Sequence, residues 1–157
     1  MNDIIFTLTG GFLSALGGFF AIIFKKKEQI NYIKISLIDE IEEIERIIGH
    51  ICESCRMGQA VPVTCFNELS ENTESFDSNK QKLYLIHDKV LRKDITKFYK
   101  DLKSYIEKSI TIVGRLNPDA SGASDNQIKS DSEKVKHNAA NLKIQITKYK
   151  FKPLFFI

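Results

Sequence analysis

The chain has no tryptophan, and only three prolines and three cysteines among its 157 residues. So few cysteines exclude a disulfide-dense secreted scaffold, which needs several bridges to replace a core. The prolines, Pro62, Pro118 and Pro153, each stand where a helical pattern stops, so the segments between them are free to form long helices. Charge of one sign is also lacking: 23 Lys and Arg against 20 Asp and Glu leave +3, too mild a balance to announce nucleic acid. Phosphate-loop, dinucleotide and nucleophile-elbow patterns are missing, as are internal repeats, low-complexity tracts and strong strand signals. No enzyme and no cofactor is therefore expected. With 43% hydrophobic and 27% charged residues the chain is not broadly disordered, and its length allows one compact domain plus one extra element.

What is present begins with residues 4–24, a run of 21 without a charged side chain, twelve of them Leu, Ile or Phe. A helix of that length reaches about 31 Å, close to the roughly 30 Å of a bilayer's hydrocarbon. A cleaved signal peptide would need a positive leading region and a shorter apolar core, and neither is there. A transmembrane helix is the expectation, and Lys25, Lys26 and Lys27 directly after it set its topology by the positive-inside bias. This predicts a single-pass protein of the inner (cytoplasmic) membrane, N-terminus out, with residues 1–27 as anchor and basic flank and residues 28–157 in the cytoplasm. Within the run Gly10, Ser14 and Gly18 recur every four residues, with Gly11, Ala15, Gly17 and Ala21 beside them. That spacing stacks small side chains on one helix face, a mode of helix association that predicts a homo-oligomer.

Beyond Lys27 the apolar positions Ile30, Ile33, Leu37, Ile41, Ile44, Ile48, Ile51 and Cys55 step by three or four, which is one stripe of a helix, widened by Ile35, Ile38 and Ile47. Gly58 ends it. A short helix and a loop are expected over residues 64–79, then a brief helix with Leu83 and Ile86, capped by Asp77 or Ser78. Asp88 caps a second long helix carrying Leu91, Ile95, Phe98, Leu102, Ile106, Ile110 and Val113. After a turn around Pro118, a third helix with Ile128, Val135, Leu142, Ile146 and Tyr149 is predicted over about residues 125–150. The fold class is all-α: the transmembrane helix followed by an antiparallel bundle of three or four helices. Residues 28–74 carry −7 and residues 75–157 carry +8, so the acidic side of the first helix, Asp39, Glu42 and Glu43, is expected to face basic neighbours.

Few residues carry chemistry. His50, Cys52, Cys55 and Cys65 have donor types that zinc accepts, but Cys52 and Cys55 continue an apolar stripe, so core packing is favoured and no metal is assigned. His87 and Asp88 lack the further ligands of a metal phosphohydrolase. Lys89, Lys93, Lys97 and Lys100, with Arg92 and Lys103 nearby, form a basic ridge that could meet a partner protein or anionic lipid. Asp94 and Asp101 interrupt that ridge in sequence, and nucleic acid is not expected on it. The last residues alternate Lys148, Lys150 and Lys152 with Tyr149 and Phe151 and then read Leu, Phe, Phe, Ile, suiting either a membrane surface or the end of the bundle core.

Phe76, Asp77 and Ser78, followed by Leu83, Tyr84, Leu85 and Ile86 and then by Ile95, Phe98, Tyr99 and Leu102, resemble a pattern in small, largely uncharacterised bacterial proteins with one N-terminal span and a helical cytoplasmic domain. The resemblance covers about 27 residues and implies no catalytic groups. Some such proteins lie among phage-defence genes. The expected function is a membrane-tethered, non-enzymatic helical module that self-associates through its first helix and presents the bundle to a cytoplasmic protein partner. The alternative is an effector, holin-like or of abortive-infection type, whose bundle controls oligomerisation of the glycine-rich span in the lipid bilayer and so permeabilises it.

Overall fold

The structure, a computed structural model, describes residues 2–115 and 123–150, with side chains at positions 14, 16–113 and 126–150. The chain forms α1 (Asn2–Arg56), α2 (Val63–Asn79), a 3-10 helix (Lys80–Leu85), α3 (Lys89–Arg115) and α4 (Ala123–Lys148). No strand occurs among the described residues.

Side-chain contacts fix the topology. Glu40 and Arg46 of α1 meet Ser75 and Glu68 of α2, Phe66 and Phe76 of α2 meet Tyr105 and Tyr99 of α3, and Tyr105 of α3 meets Ser132 of α4. Lys143 and the Tyr149 carbonyl then return to Glu45 and Lys34 of α1. In every pair one index rises as the other falls, so the four helices form an up-down-up-down antiparallel bundle, the arrangement short connections favour. Its core takes Ile33, Leu37, Ile41, Ile44, Ile47, Ile48 and Ile51 from α1, Phe66, Leu69 and Phe76 from α2, Leu91, Ile95, Phe98 and Leu102 from α3, and Ile128, Val135, Leu142 and Ile146 from α4. Apart from the adjacent Ile47 and Ile48, each set recurs at steps of three, four or seven residues, which places it on one face of its helix. Ile35 does not widen the α1 stripe: a helix turns it to the opposite side, and it is 59% exposed.

Two local outcomes differ from expectation. Residues 63–79 form one full helix instead of a short helix and a loop. Their polar side chains fold back on the helix's own carbonyls, Asn72 onto Glu68, Thr73 onto Ser70, Ser78 onto Glu74 and Asn79 onto Ser75. Phe66, Leu69, Thr73 and Phe76 meanwhile supply its buried face. The next helix is a 3-10 turn running directly on from α2 without a side-chain cap. Two other signals hold. Gly58 stands at φ 67°, with its N–H donating to the Cys55 carbonyl and that of Gln59 to Ser54, the paired bonds of a Schellman stop. Asp88 Oδ1 accepts from the N–H groups of Val90 and Leu91 at 2.9 and 3.0 Å, capping α3.

The transmembrane helix expected over residues 4–24 is corrected by this structure. Among the described residues no helix is long and apolar enough to cross a membrane. The apolar run is not a separate element but the first part of a 55-residue helix that turns amphipathic after Lys27. Its described side chains, Ser14 and those of residues 16–24, number ten and span about 15 Å, half of a hydrocarbon core of about 30 Å. The side chains of residues 4–13 and of Ala15 lie outside those described. The single-pass topology, the inner-membrane placement with its N-terminus out and the rest in the cytoplasm, and the topological role of Lys25, Lys26 and Lys27 fall with the span.

Candidate interaction surfaces

Three groups of residues stand out, and the bundle disposes of them differently. Cys52, Cys55 and Cys65 are half-buried and all pack against the core, while His50 is exposed. Among the described residues no three His, Cys, Asp or Glu side chains gather closely enough to hold a metal ion. Burial pushes the thiols of Cys52 and Cys65 up from their ordinary range, which keeps them protonated and poorly nucleophilic. The His87 and Asp88 pair is structural: Asp88 is the α3 cap, and the His87 N–H donates to the Tyr149 hydroxyl at 3.2 Å.

The second group is the N-terminal part of α1. The helix is about 82 Å long at 1.5 Å per residue, and its buried stripe begins only at Ile30, so the preceding part extends past the bundle as an arm. Phe20, Ile22 and Phe24 on this arm are 54%, 69% and 63% exposed, and Leu16 is also exposed. Ser14, Gly17, Gly18 and Ala21 are exposed as well, and a Cβ added to Gly17 or Gly18 would meet nothing within 4 Å. Lys25 and Lys27 are exposed and Lys26 is half-buried where the arm joins the bundle. The association residues Gly10 and Gly11 lie outside the described side chains.

The third group is the charge. The acidic side of α1 does meet basic neighbours, though not those of α3. Lys143 of α4 reaches Glu45 at 2.6 Å and Glu42 at 3.7 Å, and Arg46 binds Glu43 through both carboxylate oxygens at 2.6 and 2.9 Å. Glu40 accepts hydrogen bonds from Tyr99 Oη at 2.9 Å and Ser75 Oγ at 3.3 Å. Lys89, Lys93, Lys97 and Lys100 are instead exposed along one face of α3, with Arg92 half-buried beside them. Among the described residues none of these five side chains has an ion pair or a hydrogen bond. Asp94 and Asp101, which interrupt the ridge in sequence, lie around the helix on the α4 side, where they line a second groove with Lys97, Asn138, Asn141 and Gln145.

No family model, no curated protein and no solved structure matches the chain. The resemblance carried by Phe76 to Leu102 gains nothing from these comparisons, so function rests on the surfaces themselves.

Sequence reasoning missed the polar contacts that tie the helices together. The Tyr99 ring stacks on Phe76 with centroids 3.7 Å apart while its hydroxyl reaches Glu40, so one side chain joins α1, α2 and α3. Ser132 Oγ donates to the Ile128 carbonyl at 2.6 Å, which spends its only proton, so Tyr105 Oη donates to Ser132 at 2.7 Å. The signal available was position: Tyr99 and Tyr105 stand beside apolar stripe residues Phe98 and Ile106, where a ring can be buried with its hydroxyl at the seam. Burial pushes Tyr105 up to about 12, and burial together with the Glu40 carboxylate raises Tyr99 still further. Both phenols stay neutral and act as fixed donors.

Proposed function

We propose that this protein is a non-enzymatic helical interaction module, which self-associates through the N-terminal arm of α1 and presents its bundle to a protein partner. The observation that carries the reading is the exposure of Phe20, Ile22 and Phe24 on a helix that buries a continuous stripe from Ile30 to Ile51. Large apolar side chains grouped in water mark a surface that another molecule covers.

A second copy suits the arm because the arm is self-complementary. Leu16, Phe20 and Phe24 recur at four-residue steps and form a ridge, and Gly17 and Ala21 beside them form a hollow open to solvent. Ridges at that spacing pack into matching grooves of a second helix. The perturbed groups support contact rather than chemistry, because the shifted thiols and phenols are all moved toward their inert, protonated forms.

Sedimentation equilibrium of the full chain tests this. A dimer or larger species that dissociates in the variant carrying Phe20→Ser and Phe24→Ser, with helicity unchanged, is the expected result. A monomer throughout the micromolar range, or a monomer that floats with phosphatidylglycerol vesicles through the same phenylalanines, contradicts it.

A further inference from the structure

We infer that the groove between the 3-10 helix and α3 is the docking site for a short acidic protein segment bearing an apolar side chain. This rests on the reading of the protein as an interaction module and names the surface and the chemistry of its partner. The groove has a volume of about 720 Å³ and is open to solvent. Lys89, Lys93, Lys97 and Lys100 rise along one wall, spread over about 16 Å of helix at 1.5 Å per residue, with Arg92 among them. Leu83 and Tyr84 of the 3-10 helix form the other side, and the Tyr84 ring is 68% exposed.

Three observations converge on an acidic segment. Among the described residues these five α3 cations have no ion pair and no side-chain hydrogen bond. On the acidic face of α1, the expected internal partner, Glu40, Glu42, Glu43 and Glu45 are occupied by Tyr99, Ser75, Lys143 and Arg46. Asp94 and Asp101 line the neighbouring α3–α4 groove, which shares only Lys97 with this wall, so no carboxylate lines the groove beside Lys89, Arg92, Lys93 and Lys100. Like charges held this close repel one another, and a carboxylate-rich ligand relieves that repulsion.

The dimensions favour protein over nucleic acid. The basic stretch is bounded by carboxylates, with Asp77 pairing Lys80 at 3.2 Å and Lys103 at 4.0 Å at one end and Asp88 capping the helix at the other. A long polyanion would run onto both. The exposed Tyr84 side chain gives an apolar side chain of a protein segment a seat beside these cations.

Fluorescence anisotropy with the full chain tests the assignment. The probe is a fluorescein-labelled peptide of about twelve Asp and Glu residues with one central Phe, run beside a single-stranded DNA of similar length. Binding of the peptide is expected to weaken roughly tenfold in the Lys93→Glu, Lys97→Glu variant and several-fold on raising salt from about 50 to 200 mM. Tyr84→Ala should weaken it several-fold, and replacing the peptide's Phe by Ser should have the same effect, while Lys134→Glu on α4 leaves binding unchanged. No binding, equal loss with Lys134→Glu, indifference to Tyr84→Ala, or tighter binding of the DNA overturns the proposal. Sedimentation of the same samples reads self-association separately. A monomer that still binds the peptide through these residues removes the arm and leaves the groove standing.

Discussion

Tyr99 gathers more of the fold than any stripe residue, because it packs by its ring and ties by its hydroxyl. Tyr99→Phe keeps the stack on Phe76 and removes the donor to Glu40, so urea denaturation should show a loss of about 1 to 2 kcal/mol, the worth of a hydrogen bond to a charged group that keeps other partners. The phenols also set an alkaline limit. Tyr105 is raised by burial from 10.0 to about 12, and Tyr99 is raised in the same direction. A group raised in the folded state contributes its full stabilisation below its unfolded value and loses it as pH climbs through the folded one. Stability from this source is therefore complete below about pH 10 and falls from there toward pH 12 and beyond, by about 1.4 kcal/mol per pH unit for each phenol at most. Denaturation curves from pH 8 to 12 should fall less steeply for the Tyr99→Phe, Tyr105→Phe variant than for the natural chain. Parallel curves would show that these phenols do not set the limit. The sequence offered only the position of these rings beside the apolar stripe, because a tyrosine at a seam is told from one in solvent only by what the neighbouring helix brings to it.

Helices were legible to the degree that their apolar spacing was. The stripes of α1, α3 and α4 gave direction and burial because a 3.6-residue period leaves little choice of face. Ile44→Ala, at a fully buried stripe position, should cost about 2 to 5 kcal/mol, whereas Ile35→Ala on the opposite side should stay within about 0.5 kcal/mol. Equal losses at the two sites would show that α1 is rotated from the orientation described. Residues 63–79 were harder to read, since Ser, Thr and Asn favour caps and turns in isolation. There the hydrogen bonds from Asn72, Ser78 and Asn79 return to carbonyls four residues back, and burial of Phe66, Leu69 and Phe76 holds the helix that local preference leaves undecided. The apolar run of residues 4–24 misled in another way. Its length suggested a membrane span, yet among the described residues no helix is long and apolar enough to cross a membrane.

On the scale of the molecule, the sequence showed a division of charge but not how it is resolved. A net −7 over residues 28–74 and +8 over residues 75–157 suggested mutual neutralisation, and it is only partial. Lys143 of α4 faces Glu42 and Glu45, whereas the α3 lysines line an open groove, a distinction that depends on which helix the antiparallel order sets beside α1. The basic ridge could be named from its spacing, but that Asp94 and Asp101 line another groove, shared with Lys97, and that the ridge faces Leu83 and Tyr84 needed the tertiary arrangement. The arm and the groove lie on different parts of the chain, which lets one hold copies together while the other meets a partner. The central claim is that a second copy covers the arm. Its most direct test is oxidative crosslinking of the Phe20→Cys chain, with Cys52, Cys55 and Cys65 replaced by alanine and the helical signal confirmed, beside the same background carrying Ile110→Cys on the bundle. Rapid disulfide-linked dimer formation through position 20, and little through position 110, is the expected result. A monomer at position 20, or equal crosslinking at both positions, would contradict the account.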